Sequence, residues 1–261
     1  MLIAGGTDHF VDDSAIQKSK QGVINIFGID ELRFISKDQK SLVIGASTTY
    51  SDIVKSKDVL AHLPMLVDAC RLIGAMQIQS RATVGGNLAT SSPVGDTLPV
   101  WLASDAIIEC VSSGGTRLVP YEDFIVGYRQ IDLKENEIIK AVHVPIGIGE
   151  KKQRFTKVGT RAFQSISKVM MAGSAQVSDG KIVDLRLALG AVAATPIRLK
   201  KTEKRLEGQT LSEAHLDKAG AMILEEITPI DDLRSTAEYR SEVAKNICLA
   251  FLGSLIGSPT G

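Results

Sequence analysis

The chain has 261 residues, 44% of them hydrophobic and 23% charged, which is typical of a globular protein of one or two domains and excludes a disordered chain. Thirty basic and thirty acidic residues give a net charge of zero, and only 5% of residues are aromatic. The composition therefore excludes a general electrostatic attraction to nucleic acid or anionic membranes, and it offers few rings that could stack on unpaired bases.

The N-terminal residues contain no basic region, and no apolar stretch reaches the roughly 18 residues that a membrane-spanning helix needs. We therefore expect a cytoplasmic protein with no signal peptide and no membrane span.

Three cysteines, Cys70, Cys110 and Cys248, are too far apart for a C-x-x-C motif or an iron–sulfur run, and an odd, sparse count suits a reducing compartment. Each is expected to be a small buried hydrophobic residue. The four histidines have neither metal-ligand nor triad spacing, so no metal site is expected.

The N-terminal part alternates short apolar segments with turn residues, which predicts strands at 2–4, 23–26 and 42–45. Thr49 can cap a helix from about residue 50 to residue 57. Pro64 opens a second predicted helix that runs to Ile73.

The middle of the chain begins with residues 83–96, which are rich in Gly, Thr, Ser and Asn and are predicted to form a loop. Asp96 is predicted to cap a helix that ends near Ser104. Strands are then predicted at 106–111, at 117–119 after a hairpin turn, and at 138–144.

Residues 147–152, Gly-Ile-Gly-Glu-Lys-Lys, are the best candidate for a domain boundary. Strands are predicted beyond it at 154–158, 168–177 and 182–189. Thr210 and Ser235 each precede a Glu by three residues, a capping-box pattern that opens the last two predicted helices. The final helix is predicted to turn inward Tyr239, Val243, Ile247, Ala250 and Phe251. Strands followed by helices predict an α+β arrangement.

Two glycine clusters are the most informative feature of the sequence. The first, Ala4-Gly5-Gly6-Thr7-Asp8, directly follows a predicted strand. Two glycines allow a turn in which backbone N–H groups converge with no side chain in the way, which is what a phosphate group needs, and Thr7 adds a hydroxyl. A tight turn leaving a strand is the alternative, and this cluster alone favours it.

The second cluster, Thr83-Val84-Gly85-Gly86-Asn87, opens the predicted loop that ends at Asp96. It offers N–H groups at the two glycines and an amide at Asn87, while the Asp96 carboxylate can accept a hydrogen bond from a ribityl or ribose hydroxyl. Long loops with so many small polar groups tend to be functional. Two such clusters together indicate a ligand that carries phosphates and hydroxyls.

These motifs carry a resemblance that covers essentially the whole chain. The first cluster, and the second within the segment 77–96, resemble the two flavin motifs of the FAD-binding, or medium, subunits of molybdenum hydroxylases, a group that includes xanthine, carbon monoxide, aldehyde and nicotinate dehydrogenases. Further segments that fit the family lie at 127–129, 137–139, 142–145, 155–161 and 232–240.

The resemblance implies a two-subdomain FAD-binding fold of the vanillyl-alcohol-oxidase (PCMH) type over residues 1–148, with subdomains at about 1–53 and 54–148. A C-terminal α+β domain would follow over residues 149–261. Relatives carry a strand and a helix before the first motif, so one edge of the first subdomain is expected to be absent here. Either the start is misassigned or the fold tolerates the loss, with a partner covering the edge.

FAD is the cofactor that the resemblance implies, held largely through the backbone N–H groups of the two clusters. Asp96 would bind another polar part of it, and Ile139 and Lys157 fall on flavin-contacting positions. Lys157 would stabilise negative charge on the reduced ring, whereas its strand pattern alone favours a solvated lysine. The expected cofactor-binding residues are Leu2, Ile3, Ala4, Gly5, Gly6, Thr7, Asp8, His9, Thr83, Val84, Gly85, Gly86, Asn87, Asp96, Ile139 and Lys157. No catalytic side chain is expected.

The implied function is electron transfer from molybdenum through iron–sulfur clusters to FAD, and then to NAD or another acceptor. The chain lacks cysteine runs and is too short for a molybdopterin domain, so the expected partners are a molybdopterin-binding large subunit and a [2Fe–2S] small subunit. The acidic residue that several relatives have soon after the position of Arg161 is missing here, so the acceptor does not carry over. Alternatives are a stand-alone flavin-dependent oxidoreductase and a flavin-free scaffold subunit.

Overall fold

The chain begins with two short parallel strands in the computed structural model, which describes residues 1–9 and 22–256. Strand β1 (Leu2–Ile3) pairs with β2 (Ile24–Asn25). The Ile26 amide donates to the Ile3 carbonyl oxygen at 2.8 Å, which continues the pairing past the end of both strands. Because parallel strands end at the same edge, the segments that follow β1 and β2 leave the pair side by side.

A five-stranded antiparallel sheet forms the centre of the N-terminal part. Its members are β3 (Ile35–Lys37), β4 (Ser41–Gly45), β5 (Ile107–Ser112), β6 (Gly115–Pro120) and β9 (Ile138–Pro145). The order is β3-β4-β9-β5-β6, with the long β9 in the middle. Between β6 and β9 lie helix α7 (Tyr121–Phe124) and a small hairpin of β7 (Ile125–Gly127) and β8 (Gln130–Ile131).

Six short helices separate β4 from β5. They are α1 (Tyr50–Lys55), α2 (Lys57–His62), α3 (Pro64–Arg71), α4 (Met76–Gln79), α5 (Val84–Thr90) and α6 (Leu98–Ala103). Thr49 and Asp52 form a reciprocal capping box at the start of α1, which satisfies two amides that would otherwise lack partners. Trp101 on α6 is fully buried in the core beneath these helices.

The C-terminal part is an antiparallel sheet of four strands covered by helices. Its strands are β10 (Lys152–Gly159), β11 (Ser167–Ser178), β12 (Lys181–Gly190) and β13 (Ile197–Arg198), in sequence order. Its helices are α8 (Lys200–Leu206), α9 (Glu213–Glu226) and α10 (Ala237–Gly253). Asp179 and Gly180, both with positive φ, form the tight turn between β11 and β12 that their sequence predicts.

Strand β11 is buried on both faces over residues 169–175, which explains the apolar run at residues 169–173. Met170 and Ala172 belong to the hydrophobic cluster shared with the N-terminal sheet and helices. Val169 and Met171 point to the opposite side and belong to the cluster beneath α9 and α10. Since successive side chains of a strand alternate between faces, one strand contributes to both cores.

The α+β class and the strands predicted from the sequence are confirmed. The predicted loop over residues 83–96 is wrong, because residues 84–90 form helix α5. Asp96 is not the cap of α6, which begins at Leu98 after Thr97. The carboxylate of Asp96 has other partners, described below.

The predicted caps of the last two helices are also displaced. Ser212 precedes α9 in place of Thr210, and Thr236 caps α10 in place of Ser235 by accepting from the Tyr239 amide. The inward face of α10 is shifted as well, apart from Phe251. The buried residues are Arg240, Ala244, Cys248, Phe251 and Leu252.

Candidate functional site

The first glycine cluster forms a turn pressed against the backbone that precedes the second. A Cβ atom on Gly5 would lie 1.8 Å from the carbonyl oxygen of Arg81, so no other residue fits at this position. Gly6 has a φ of +72°, the left-handed region that glycine adopts without steric cost. The first cluster therefore lies directly against residues 81 and 82, which immediately precede the second cluster.

The backbone amides of this turn differ from those of the second cluster, because they form no hydrogen bond within the described part of the chain. Among the described residues, the amides of Gly5, Gly6 and Thr7 donate to no other group, and all three residues are partly exposed. Backbone N–H groups left without an internal partner are available to solvent or to a ligand. A concave run of such donors suits an anion, above all a phosphate.

The other predicted cofactor-binding residues of this segment lie directly before and after the turn. Leu2 and Ile3 form β1, which brings the chain into it, and Ala4 is partly exposed between strand and turn. Asp8 is exposed and lies close enough to interact electrostatically with buried Tyr50. His9 is the last described residue before residue 22.

The second glycine cluster opens α5, and its amides are engaged within the chain. The Gly85 amide donates to the Ala46 carbonyl oxygen at 2.7 Å, and the Gly86 amide donates to Thr83 Oγ1 at 3.1 Å. The amides of Val84 and Asn87 are paired as well. The prediction that Gly85 and Gly86 present exposed N–H donors is therefore wrong.

Glycine at position 85 is explained by packing. A Cβ atom there would lie 2.7 Å from the Cβ of Ala46 and 3.0 Å from its carbonyl oxygen. Helix α5 can approach the segment after β4 only because residue 85 has no side chain. That segment, Ala46-Ser47-Thr48-Thr49, is almost completely buried and was missed by sequence reasoning, although four small residues directly after a strand could have signalled a close contact.

Asp96 and Lys157 meet in a buried ion pair. Lys157 Nζ donates to Asp96 Oδ2 at 2.6 Å and to the Leu72 carbonyl oxygen at 3.2 Å, while Ser167 Oγ donates to Asp96 Oδ1 at 2.5 Å. Only 6% of the Lys157 and 8% of the Asp96 side chain is exposed, so the solvated lysine favoured by the strand pattern is wrong. Burial raises the pKa of Asp96, and the charge and hydrogen bond of Lys157 and the Ser167 hydroxyl partly offset this rise.

The remaining predicted residues lie near this framework. Asn87 is partly exposed on α5, and its Oδ1 accepts from Thr97 Oγ1 at 2.6 Å. Ile139 is buried in β9 next to Lys140, whose carbonyl oxygen accepts from the Ala46 amide. Ser167, the hydroxyl partner of Asp96, carried no recognisable signal in the sequence.

Other candidate sites are few. Over residues 1–9 and 22–256, no group of three His, Cys, Asp or Glu residues could hold a metal ion, and all three cysteines are free and buried. No helix in the described ranges is long and apolar enough to cross a membrane. A cleft of about 260 Å³, lined by Ile125 and Arg198 among others, contains none of the predicted site residues.

Two protein families match the chain. The family described as the FAD-binding domain in molybdopterin dehydrogenase matches residues 1–147, and the CO dehydrogenase flavoprotein C-terminal domain matches residues 154–255. The chain thus combines an FAD-binding domain with the C-terminal domain of the same class of flavoprotein.

Individual relatives match over nearly the full chain. The carbon monoxide dehydrogenase medium chain of Hydrogenophaga pseudoflava is 32% identical over 249 residues, covering 93% of this chain and 84% of the relative. The putative xanthine dehydrogenase FAD-binding subunit of Escherichia coli (strain K12) is 28% identical over 262 residues, covering 100% of this chain and 90% of the relative. A solved structure of the Hydrogenophaga pseudoflava carbon monoxide dehydrogenase superposes with a TM-score of 0.88 at 28% identity, covering 98% of this chain and 88% of that chain.

The chain belongs to the FAD-binding medium subunits of the molybdenum hydroxylases, the family of the molybdopterin dehydrogenases. It is therefore an oxidoreductase subunit with an FAD-binding domain, and the resemblance that the sequence motifs carry is confirmed.

Proposed function

We propose that this subunit binds FAD with its phosphate groups at the turn of residues 4–8 and transfers electrons between a partner chain and a soluble acceptor. The observation that carries the proposal is the set of amides at Gly5, Gly6 and Thr7, which have no partner among the described residues. These donors fit a diphosphate. The missing side chain at Gly5 lets the turn lie directly against the Arg81 backbone, which fixes its position. Leu2, Ile3, Ala4, Asp8 and His9 complete this side of the site.

The second cluster has a different role in the proposal. Residues 83–87 allow α5 to pack closely against Ala46. This packing holds the backbone of Arg81 and Ala82 against Gly5. Asn87 and Ile139 then border the cofactor through their side chains. The glycines of the second cluster act by allowing the helix to pack, and the donors come from the first cluster.

Asp96 and Lys157 are proposed to contact the cofactor on the side away from its phosphates. Each carboxylate oxygen of Asp96 accepts one hydrogen bond within the chain, and each has a further lone pair for a cofactor hydroxyl. Lys157 has used two of its three N–H donors and retains its positive charge beside the site. Held between Asp96 and Leu72, the ammonium group is fixed in position before any cofactor binds.

FAD, when bound, supplies the exchange between one-electron and two-electron steps. The metal centres would lie elsewhere, because the chain has only three cysteines and all are buried and far apart. We propose a molybdopterin-binding large subunit and a [2Fe–2S] small subunit as partners, and NAD or another carrier as the electron acceptor.

The experiment is to purify the chain from its source by a tag and to analyse the copurifying chains, molybdenum, iron and flavin. We expect one larger and one smaller partner, both metals and bound FAD.

Anaerobic addition of NADH then tests the acceptor: loss of the visible flavin absorbance supports NAD, and an unchanged spectrum favours another carrier. A yellow protein without partners would indicate a stand-alone flavin enzyme, and a colourless complex that takes up no FAD would indicate a scaffold.

A further inference from the structure

We propose that Arg81 is the cation that neutralises the phosphate groups at the turn of residues 4–8, and that the ring of Phe27 holds its guanidinium in place. This inference rests on the proposed function, which places a diphosphate at that turn. Both residues lie outside the two glycine clusters, 4–8 and 83–87, and each is brought to the turn by a separate part of the chain.

The backbone places Arg81 directly beside the turn. Its carbonyl oxygen would lie 1.8 Å from a Cβ atom on Gly5, so the two backbones are in close contact. The side chain is exposed, and its guanidinium carbon lies 4.2 Å from the centre of the Phe27 ring. Cation–π contacts form within about 6 Å of the ring centroid.

Phe27 is on the same side of the structure as the turn. It follows β2 by two residues, as Gly5 follows β1, and the two strands are parallel with Ile3 paired to Asn25. The hydrogen bond from the Ile26 amide to the Ile3 carbonyl oxygen carries this pairing up to Phe27. Phe27 and Gly5 therefore leave the strand pair at the same edge, and the guanidinium that Phe27 holds lies there too.

The charges around the turn call for a cation. Asp8 is an exposed acidic residue of the turn itself, and its negative charge would oppose a phosphate bound there. Arg33 also approaches Phe27, at 5.8 Å, but its guanidinium is engaged by both carboxylate oxygens of Asp52 at 2.9 and 3.0 Å. Arg81 forms no ion pair with any other residue of the described ranges, so its charge is available.

An aromatic ring suits this task better than a carboxylate would. A carboxylate would fix the arginine but would also neutralise it. The face of the Phe27 ring stacks on the planar guanidinium and orients it. The N–H groups at the edge of the guanidinium stay free to donate. Such an edge forms two parallel, charge-assisted hydrogen bonds with phosphate oxygens.

The experiment measures dissociation constants of the full cofactor-free chain for FAD, ADP, riboflavin and adenosine, the last two of which lack phosphate. We expect Arg81→Met to weaken both FAD and ADP by about tenfold to one hundredfold, the range for a hydrogen bond to a charged group. Binding of riboflavin and adenosine should be unchanged. Arg81→Lys should recover part of the loss. Arg154→Met is the matched control, because Arg154 is an exposed arginine on β10, and it should behave as the wild type.

Phe27→Leu tests the positioning role. It should weaken FAD and ADP less than Arg81→Met, and it should cause no further loss when added to Arg81→Met, because the ring acts through the guanidinium. Circular dichroism of each variant shows whether it is folded.

Three results would overturn the inference while leaving the proposed function intact. They are FAD and ADP affinities that are unchanged in a folded Arg81→Met variant, an equal loss for adenosine, which would put the guanidinium on the base, and additive losses in the double variant. A wild-type chain that binds neither FAD nor ADP would instead contradict the proposed function, and the inference with it.

Discussion

Lys157 Nζ lies 2.6 Å from Asp96 Oδ2 in a nearly solvent-free contact that joins β10 to the segment before α6. Neither charge is easily tolerated alone at this depth, because water no longer solvates it. The pair therefore fixes the C-terminal sheet against the FAD-binding domain, and it holds one positive charge at a defined place beside the proposed FAD site.

Removing the lysine charge should destabilise the protein. We expect Lys157→Met to lower the free energy of unfolding by about 3 kcal/mol, because it leaves the buried Asp96 carboxylate without its cation. The pKa of Asp96, already raised by burial, should rise further. Urea unfolding of the cofactor-free chain measures the loss. The double variant Asp96→Asn with Lys157→Met should recover part of it, because no unpaired buried charge remains. Asp96→Asn alone completes the cycle, and a double-variant loss equal to the sum of the two single-variant losses would show that the pair is not coupled.

The carboxylate of Glu109 should make stability depend on pH. Burial raises its pKa, but hydrogen bonds and charges from Lys140, at 2.9 Å, and His143, at 2.8 Å, outweigh this, and the net pKa is lowered. A carboxylate with a lowered pKa stabilises the fold above its ordinary pKa, and this stabilisation is lost as the pH falls from that value through the lowered one.

Glu109→Gln should therefore cost about 1 kcal/mol at neutral pH, a small value because Lys140 is partly solvated. The cost should shrink in acid, where the wild-type carboxylate is protonated too. Urea unfolding across the pH range measures it, with Glu135→Gln, an exposed glutamate, as control. A difference that stays constant into acid would contradict the role of the ionised group.

The three thiols should be unreactive in the folded protein. All three are fully buried, and burial raises the pKa of Cys110 to about 11 and that of Cys248 to about 12. Since the thiolate is the reactive form, we expect almost no reaction with Ellman's reagent at about pH 8 and complete reaction of all three in urea. Rapid labelling of any one thiol in the folded chain would contradict this burial.

Gly85 should be needed for packing more than for ligand approach. We expect Gly85→Ala to lower the free energy of unfolding by about 1–3 kcal/mol, because the added methyl group would lie 2.7 Å from the Ala46 Cβ, closer than van der Waals contact allows. Gly114→Ala is the control, because its Cβ would meet only Ser112 Oγ, at 3.6 Å. If Gly85→Ala were as stable as the control yet lost FAD, the glycine would serve ligand approach instead.

The sequence predicts this fold well where the signal is local. Strands such as β9 and the turn at Asp179-Gly180 follow directly from apolar runs and turn residues. Helix α5 is missed because two glycines have the lowest helix propensity after proline, at about 1 kcal/mol each, and only the Thr83 cap and the contact with Ala46 make it form.

Long-range partners account for the other errors. Asp96 looks like a cap because caps are local, whereas its actual partner, Lys157, is 61 positions away. The inward face of α10 is shifted because buried Arg240 donates to the Lys168 and Ala191 carbonyl oxygens and to Asp232. An apolar pattern does not predict that a charged residue will be buried.

Hydrogen–deuterium exchange with and without FAD tests the central claim most directly. We expect the peptide that covers residues 4–8 to exchange rapidly in the cofactor-free chain and to be strongly protected once FAD is added, because its amides gain phosphate partners. The peptide that covers residues 84–87, whose amides are already paired, should change much less. FAD that binds without protecting residues 4–8, or a chain that binds no FAD, would contradict the proposal.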